Sequence, residues 1–500
     1  VKKSESLRLE GITFARAGQF EEASVCFQKA IEQTPENYAL YNDLGLSLAR
    51  QGQFQEAEKQ YLMAIEKYKE YVEALNNLAS LYYKQERFEE ALFFYQKAVS
   101  YNPDYLAAYY NMALIYMKLE QFDEAIIQFK KVISLSPKHG HAHFHLANLL
   151  VQKNHLEEAE NHYHEAILQQ PALVNAYTNL AVIYLKQNHI EDARKYYEQA
   201  LTLDPALPEV HFNMGVILAD QGKLNEAIIF YKKTIELDPC HAQAFQNLGA
   251  CYYKQDNMAL AIEYYEKAVS LSPADATLSY LLKALKQDKT QETAPFNYVR
   301  QLFDRYADEY DDHLQTLLIY QVPVLLKTVI EEKKRPKLCA WDVLDLGCGT
   351  GLMGKIMKPY AHYLLGVDLS KKMLLKAESK AIYDDLICAD IKTFITQCNL
   401  RFDMVVAADV LGYIGKLEEL FQAVHCCLKE KGSFAFSIEL VQNEADAFCL
   451  QPTGRFKHGQ QYIEKLANQC SFSIKHQKLE TIRLQQGLPV EGMIFLLSKK

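Results

Sequence analysis

Five hundred residues exceed what one hydrophobic core supports, and at roughly 100–200 residues per domain the length implies two to four. A chain that is 49% hydrophobic and 23% charged, with 20 Gly and 14 Pro, is neither disordered nor collagenous. Residues 1–290 hold 28 Lys/Arg against 37 Asp/Glu, a net of −9, and the remainder balances 26 against 26, so the sequence offers no basic block for nucleic-acid binding.

The eleven cysteines form no C-x-x-C pair. Reduced thiols in a cytoplasmic protein, with no metal site, are the expectation. The first twenty residues lack an apolar stretch of signal-peptide type, and no run of 18 apolar residues predicts a membrane span.

From residue 4 the chain repeats with a period of 34. Alanine recurs at every step from Ala23 to Ala261, and an aromatic follows four residues later, from Phe27 and Tyr61 to Tyr265. Proline recurs from Pro35 to Pro273, with Lys69 the one gap. A small residue recurs as Gly11, Gly45, Ala79, Ala113, Ala147, Ala181, Gly215 and Gly249. Apolar spacing at i, i+3, i+4 and i+7 makes each unit a helix pair, which buries its face only against its neighbours. Gly18, Gly52 and Gly222, or a polar residue elsewhere, mark the turn inside each pair. The pattern resembles the tetratricopeptide repeat over residues 4–275, in eight units, with a capping helix at 276–288.

One phase of the repeat reads Leu9, Asp43, Asn77, Asn111, His145, Asn179, Asn213 and Asn247. Five asparagines at one phase predict a row of carboxamides, whose paired donor and acceptor suit a peptide backbone. The row resembles the Asn ladder of O-GlcNAc transferase, which implies a protein or peptide bound in the repeat groove. Asn is also common at this phase of the generic repeat, so a structural role stays open. Five hydrogen bonds at ~0.5–1.5 kcal/mol total roughly 3–7 kcal/mol, and ordering a segment takes back ~2–5 kcal/mol. Such a groove binds weakly but raises the local concentration of a tethered substrate. A basic stripe of Arg16, Arg50, Lys84, Lys118, Lys186 and Lys254 reads either as a solvated face or as a groove for acidic peptides. His141 and His145 stand at i, i+4, but the repeat register already accounts for their placement.

Periodicity stops at a polar stretch, giving a solenoid at 4–288, a linker at 289–297 and a second domain at 298–500. Short β-type runs then alternate with helical segments, which predicts a parallel α/β sheet closed by an antiparallel pair at 472–479 and 491–497. A buried strand, Val343–Leu346, runs into Gly347, Gly349 and Gly351, where a backbone bends sharply and touches a ligand. Gly349, Gly351 and Gly354 also match G-x-G-x-x-G with Asp368 nineteen residues on, so a nicotinamide dinucleotide competes on pattern alone. Asp345 in the first strand, Asp368 after the second, Asp390 after the third and Asp409 after the fourth favour another reading.

Together these motifs resemble a Rossmann-like class I S-adenosylmethionine-dependent methyltransferase over about 298–500. The resemblance implies S-adenosyl-L-methionine as cofactor. It assigns Asp345, Gly347, Gly349 and Gly351 to its methionine part and Asp368 to the ribose. Leu369 and Ile391 would flank the adenine, Asp390 would accept from its amine, and Asp409 and Leu411 would lie beside the sulfonium. An amphipathic segment before the sheet puts Phe303, Tyr306 and Tyr310 on one face. In related methyltransferases of the ubiquinone and biotin pathways such a helix folds over the cofactor, which implies a cofactor contact for Tyr306. The whole arrangement is similar to a bacterial family of methyltransferases containing tetratricopeptide repeats, and Gly454–His458 and Leu488–Gly492 fit it as well.

Asp409, Tyr413 and His458 are the candidate catalytic groups. Ala408-Asp-Val-Leu stands where amide and nucleobase N-methylation use an Asn/Asp-Pro-Pro-Tyr signature. The expected function is methyl transfer, with the solenoid recruiting a polypeptide substrate or partner. The alternatives are a small-molecule or carrier-bound carboxyl O-methyltransferase, and a scaffold whose cofactor domain is silent.

Overall fold

A computed structural model describes residues 2–316, 318–334, 337–441, 446–485 and 487–500. The chain divides into two compact units, residues 1–210 and 211–500. The first unit is all helix, in pairs such as Tyr38–Arg50 with Phe54–Lys67 and Val72–Lys84 with Phe88–Tyr101. The period-34 alanines and the aromatics four residues beyond them are buried, so the repeat signature is the packing core. The small residue exists to admit the aromatic ring. A Cβ on Gly45 would lie 2.8 Å from the Tyr61 ring.

The turn inside each pair carries one left-handed residue: Gly18, Gly52, Glu86, Glu120, Asn154, Asn188, Gly222 and Asp256 all have positive φ. The next N–H then reaches back to a carbonyl of the first helix, as from Arg87 to Tyr82 at 2.9 Å, and ends the helix. Glycine is the low-strain residue there, and polar residues accept the cost where the sequence lacks it.

The second unit begins inside the repeats. Helices Leu224–Leu237, Ala242–Lys254, Met258–Leu271 and the capping helix Ala276–Leu285 belong to it. Within it, the buried Tyr280 hydroxyl of the capping helix donates to the Gly454 carbonyl at 2.9 Å. The stretch read as a linker is an ordered strap: Ala294 N–H donates to Tyr413 O at 2.9 Å, and Gly415 N–H donates to Glu292 O at 2.8 Å.

The sheet holds seven strands: β1 Trp341–Leu346, β2 Ala361–Asp368, β3 Asp385–Cys388, β4 Phe402–Ala407, β5 Leu428–Glu439, β8 Phe472–Gln485 and β9 Leu488–Lys499. A separate hairpin, β6 Phe448–Leu450 and β7 Phe456–His458, precedes β8. Sheet order is β3-β2-β1-β4-β5-β9-β8, with the first five strands parallel and β9 antiparallel to both its neighbours. Helices cover both faces through two cores, one around Phe421, Phe434 and Phe436 and one around Leu326, Val343 and Leu364. The chain reverses direction across the sheet between β1 and β4, which opens a crevice at the carboxyl ends of those strands.

Candidate active site

That crevice is a cavity of about 730 Å³. Gly347 and Gly349 form one wall, Asp368 and Leu369 after β2 a second, Asp390 and Ile391 after β3 a third, and Asp409, Val410 and Tyr413 after β4 a fourth. The helix Phe296–Tyr306 roofs it with Phe296, Val299 and Phe303, and Tyr310 joins them from the next helix.

The glycine loop is built around two acids. Asp368 accepts from Gly349 N–H and Ser370 N–H, both at 2.8 Å, so its two oxygens brace the loop and the β2 end. Burial raises the pKa of this carboxyl, against those backbone donors. The Leu369 N–H lies on it as well, and of the about four acceptor positions of a carboxylate one remains for a ligand. Asp345 lies behind the loop. It accepts from the Tyr383 hydroxyl at 2.7 Å through Oδ2, while its buried Oδ1 has no partner among the described residues. Burial pushes its pKa up to about 7.

Gly347, φ +68°, has Val410 Cγ2 at 2.4 Å from the place of a Cβ, so only glycine fits. Gly349, φ +53°, meets only Tyr310, at 3.9 Å, and leaves open space toward the cavity. Asp390 caps the helix Ile391–Gln397, accepting from Thr393 N–H at 2.9 Å.

Several expected positions differ. Tyr306 does not line the cavity, because the helix ends there and Tyr310 on the next helix, Tyr310–Thr316, takes its place. The Tyr306 ring packs edge-on against Tyr310 and His313. Asp345, Gly351 and Leu411 are also off the wall: Gly351 caps the helix Leu352–Met357 with φ +93°, and Leu411 is buried in the core beneath the site.

The candidate bases fare differently. His458 is fully buried on β7, and its Nε2 donates to Ile414 O at 2.8 Å; burial lowers its pKa to about 4. It is a structural donor and not a base at the site. Asp409 faces the cavity, but Arg455 donates to it at 2.6 Å and Arg483 at 3.2 Å. Both of its oxygens are therefore engaged by guanidinium groups. Tyr413 stays at the wall, its ring edge-on to Phe303 at 5.4 Å and its hydroxyl accepting from Arg455 at 3.1 Å.

Sequence reading missed Arg455, Glu439 and Arg483. Both arginines donate to Glu439 as well as to Asp409, closing a four-charge ring in which Glu439 and Arg483 are buried. Glu439 ends β5, Arg483 lies on β8 and Arg455 sits before β7, so no local spacing announces them.

In the repeats, the ladder asparagines turn toward buried tyrosines. Asn247 donates to the Tyr231 hydroxyl at 3.4 Å, Asn179 donates at 2.9 Å to Asn148, whose oxygen also accepts from the Tyr163 hydroxyl, and Asn111 lies beside Tyr95. Asn77 donates to Asn42 at 2.9 Å. Asn213 is half-buried at the same phase. Each amide therefore spends part of its capacity inside the array. Ladder and stripe phases still share a wall: Asp43, Arg16 and Arg50 line one cavity of the first unit, and Asn247 and Lys254 line one of the second.

Comparison with known proteins agrees with this geometry. A family described as a methyltransferase domain matches residues 343–432, and tetratricopeptide repeat families match 8–71, 72–105, 106–139, 174–207, 208–239 and 242–275. The chain is a tetratricopeptide-repeat protein with a class I methyltransferase domain. Its methyltransferase domain is 30% identical over 135 residues to malonyl-[acyl-carrier protein] O-methyltransferase of Pseudescherichia vulneris, covering 27% of this chain and 51% of that one. It is 26% identical over 186 residues to the mitochondrial ubiquinone biosynthesis O-methyltransferase of Bos taurus, covering 35% and 48%. The chain thus spans about half the length of these relatives. Among solved structures, a tetratricopeptide repeat protein from Parabacteroides merdae matches at TM-score 0.35 and 24% identity, over 50% of this chain and 99% of that one.

Proposed function

We propose that the crevice at the ends of β1, β2 and β4 binds S-adenosyl-L-methionine and that the protein is a methyltransferase acting on a carboxylate presented by a polypeptide or carrier. The observation that carries this is the Gly349–Asp368 hydrogen bond at the mouth of the 730 Å³ cavity. Asp368 has an acceptor position left for a ribose hydroxyl. Leu369 and Ile391 offer apolar flanks for a purine, and Asp390 an acceptor for its amine. The unpartnered Asp345 Oδ1 leaves an acceptor behind the glycine loop for the amino-acid part. Phe303, Tyr310 and Tyr413 supply aromatic rings, which suit a cation. Bound there, the cofactor supplies an activated methyl on a cationic sulfur, which an oxyanion takes with no proton to remove.

The chain's own part is to align the acceptor and exclude water. The roof helix closes the cavity from above, and the Arg455–Asp409 pair fixes Tyr413 at its wall. Among the described lining residues each carboxylate already has donors: Asp368, Asp390 and Asp409. With no histidine among the described lining residues, the acceptor that fits is one already ionised at neutral pH.

The names of the relatives favour an O-methyl acceptor on a small molecule or carrier, with the repeats docking the carrier. Incubation with methyl-tritiated S-adenosylmethionine and a cell extract tests both. Base-labile label on protein supports a protein carboxylate, and label only in extractable small molecules refutes it. A protein of this composition, with no described helix long and apolar enough to cross a membrane, is assigned to the cytoplasm as part of the same reading.

A further inference from the structure

The roof helix Phe296–Tyr306 works with two faces. Phe296, Val299 and Phe303, spaced i, i+3 and i+7, line the cofactor cavity. Asn297, Gln301 and Arg305, spaced i, i+4 and i+8, line a second cavity of about 1250 Å³. Its opposite wall comes from the last repeats, with Gln243, Gln246, Asn247 and Lys254 on the helix Ala242–Lys254. Pro295 and Phe296 line both cavities, so the two spaces meet across one residue pair. Phe296 keeps 48% of its surface exposed, an aromatic ring standing in water at the boundary of two cavities.

The chemistry of the second cavity is specific. Five of its side chains are carboxamides: Gln243, Gln246, Asn247, Asn297 and Gln301. Among the described residues Gln243, Gln246 and Gln301 have no hydrogen-bond partner, so their donors and acceptors are available. A carboxamide pairs with a peptide bond donor to acceptor and acceptor to donor. Lys254 and Arg305 line the cavity without an ion pair among the described residues; of its two carboxylates, Asp275 caps the helix Ala276–Leu285, and Asp220 ends the helix Pro208–Asp220 of the preceding repeat. At about 1250 Å³ the space exceeds the ~300–1,000 Å³ of small-molecule sites.

The geometry points to this cavity as the binding site for an extended polypeptide segment with an acidic side chain, its main chain on the carboxamides and its carboxylate directed past Phe296. The assignment of that carboxylate as acceptor rests on the cofactor reading above; the binding site does not.

The test uses the full chain and a phage-displayed library of random dodecapeptides, counter-screened on a Gln243→Ala, Gln246→Ala, Gln301→Ala variant. These side chains are partly or fully solvent-accessible and unpartnered, so the variant keeps its fold, which its denaturation curve checks. Enriched peptides rich in Asp or Glu are expected, binding the variant at least tenfold more weakly. Lys254→Glu with Arg305→Glu is expected to reproduce the loss, and a photoreactive group beside the acidic residue is expected to crosslink to residues 293–303. Failure to enrich any peptide, equal binding to wild type and variant, or crosslinks confined to residues 1–210 would overturn the site. Calorimetric titration with S-adenosylmethionine runs in parallel. Its failure removes the cofactor reading and leaves the peptide ratio to decide this one.

Discussion

The amide of Gly349 donates to the Asp368 carboxylate at 2.8 Å, tying the glycine loop after β1 to the end of β2. The loop is therefore shaped before any ligand arrives, and two of its three glycines respond differently to a methyl group. Gly347→Ala drives a Cβ into Val410 and is expected to destabilise the domain by more than the ~1–2 kcal/mol of a left-handed backbone alone. Gly349→Ala meets no close neighbour and is expected to fold with a smaller loss, yet to bind cofactor at least tenfold more weakly. Urea denaturation and calorimetry separate the two effects.

Two buried groups oppose each other in pH. Burial raises Asp345 to about 7, so from about pH 4 upward the folded chain keeps a proton that the unfolded chain releases, and stability falls as pH rises. Burial lowers His458 to about 4, so up to about pH 6.5 the unfolded chain binds the extra proton, and stability rises with pH. Asp345→Asn is expected to expose the rising slope and His458→Gln the falling one, each approaching ~1.4 kcal/mol per pH unit. Denaturation across that range reads both signs.

The ring of Arg455, Asp409, Arg483 and Glu439 is an all-or-none device. Removing Glu439 leaves two guanidinium groups, that of Arg483 buried, on the single Asp409 carboxylate, so Glu439→Ala is expected to cost ~3–5 kcal/mol. The two guanidinium groups hold the Glu439 carboxyl well below its usual range despite burial. Its contribution is complete above the ordinary glutamate range and is lost as pH falls toward the folded value. Arg455→Lys removes the bridge between Asp409 and Tyr413 and is expected to lower the methyl-transfer rate more than cofactor affinity, as single-turnover kinetics would show.

In the repeats, Asn247 and Tyr231 form one unit. A double-mutant cycle of Asn247→Ala and Tyr231→Phe is expected to give a coupling of ~0.5–1.5 kcal/mol in urea denaturation. Additive losses would mean that the amide is not the partner of the phenol.

Much of this was legible locally. The period of 34 located the helix pairs because alanine, aromatic and small residue meet within one repeat and the next. The strand order of acids located the crevice because parallel strands bring their carboxyl ends together. What stayed hidden depends on contacts distant in sequence. Arg455 and Arg483 meet Asp409 across 46 and 74 residues. His458 looked reactive as a residue type, and only the carbonyls of Ile414 and Gly415 reveal a structural donor. Tyr306 shares a helical phase with Phe303, but the break at residues 307–309 hands its place to Tyr310.

The central claim is that Asp368 and the glycine loop hold S-adenosylmethionine. Calorimetric titration of the full chain, beside Asp368→Ala, tests it most directly. The account predicts binding of one S-adenosylmethionine per chain, weakened at least tenfold by the substitution, with no heat from NAD(H). Binding of NAD(H) in place of S-adenosylmethionine, or S-adenosylmethionine affinity unchanged in Asp368→Ala, would contradict it.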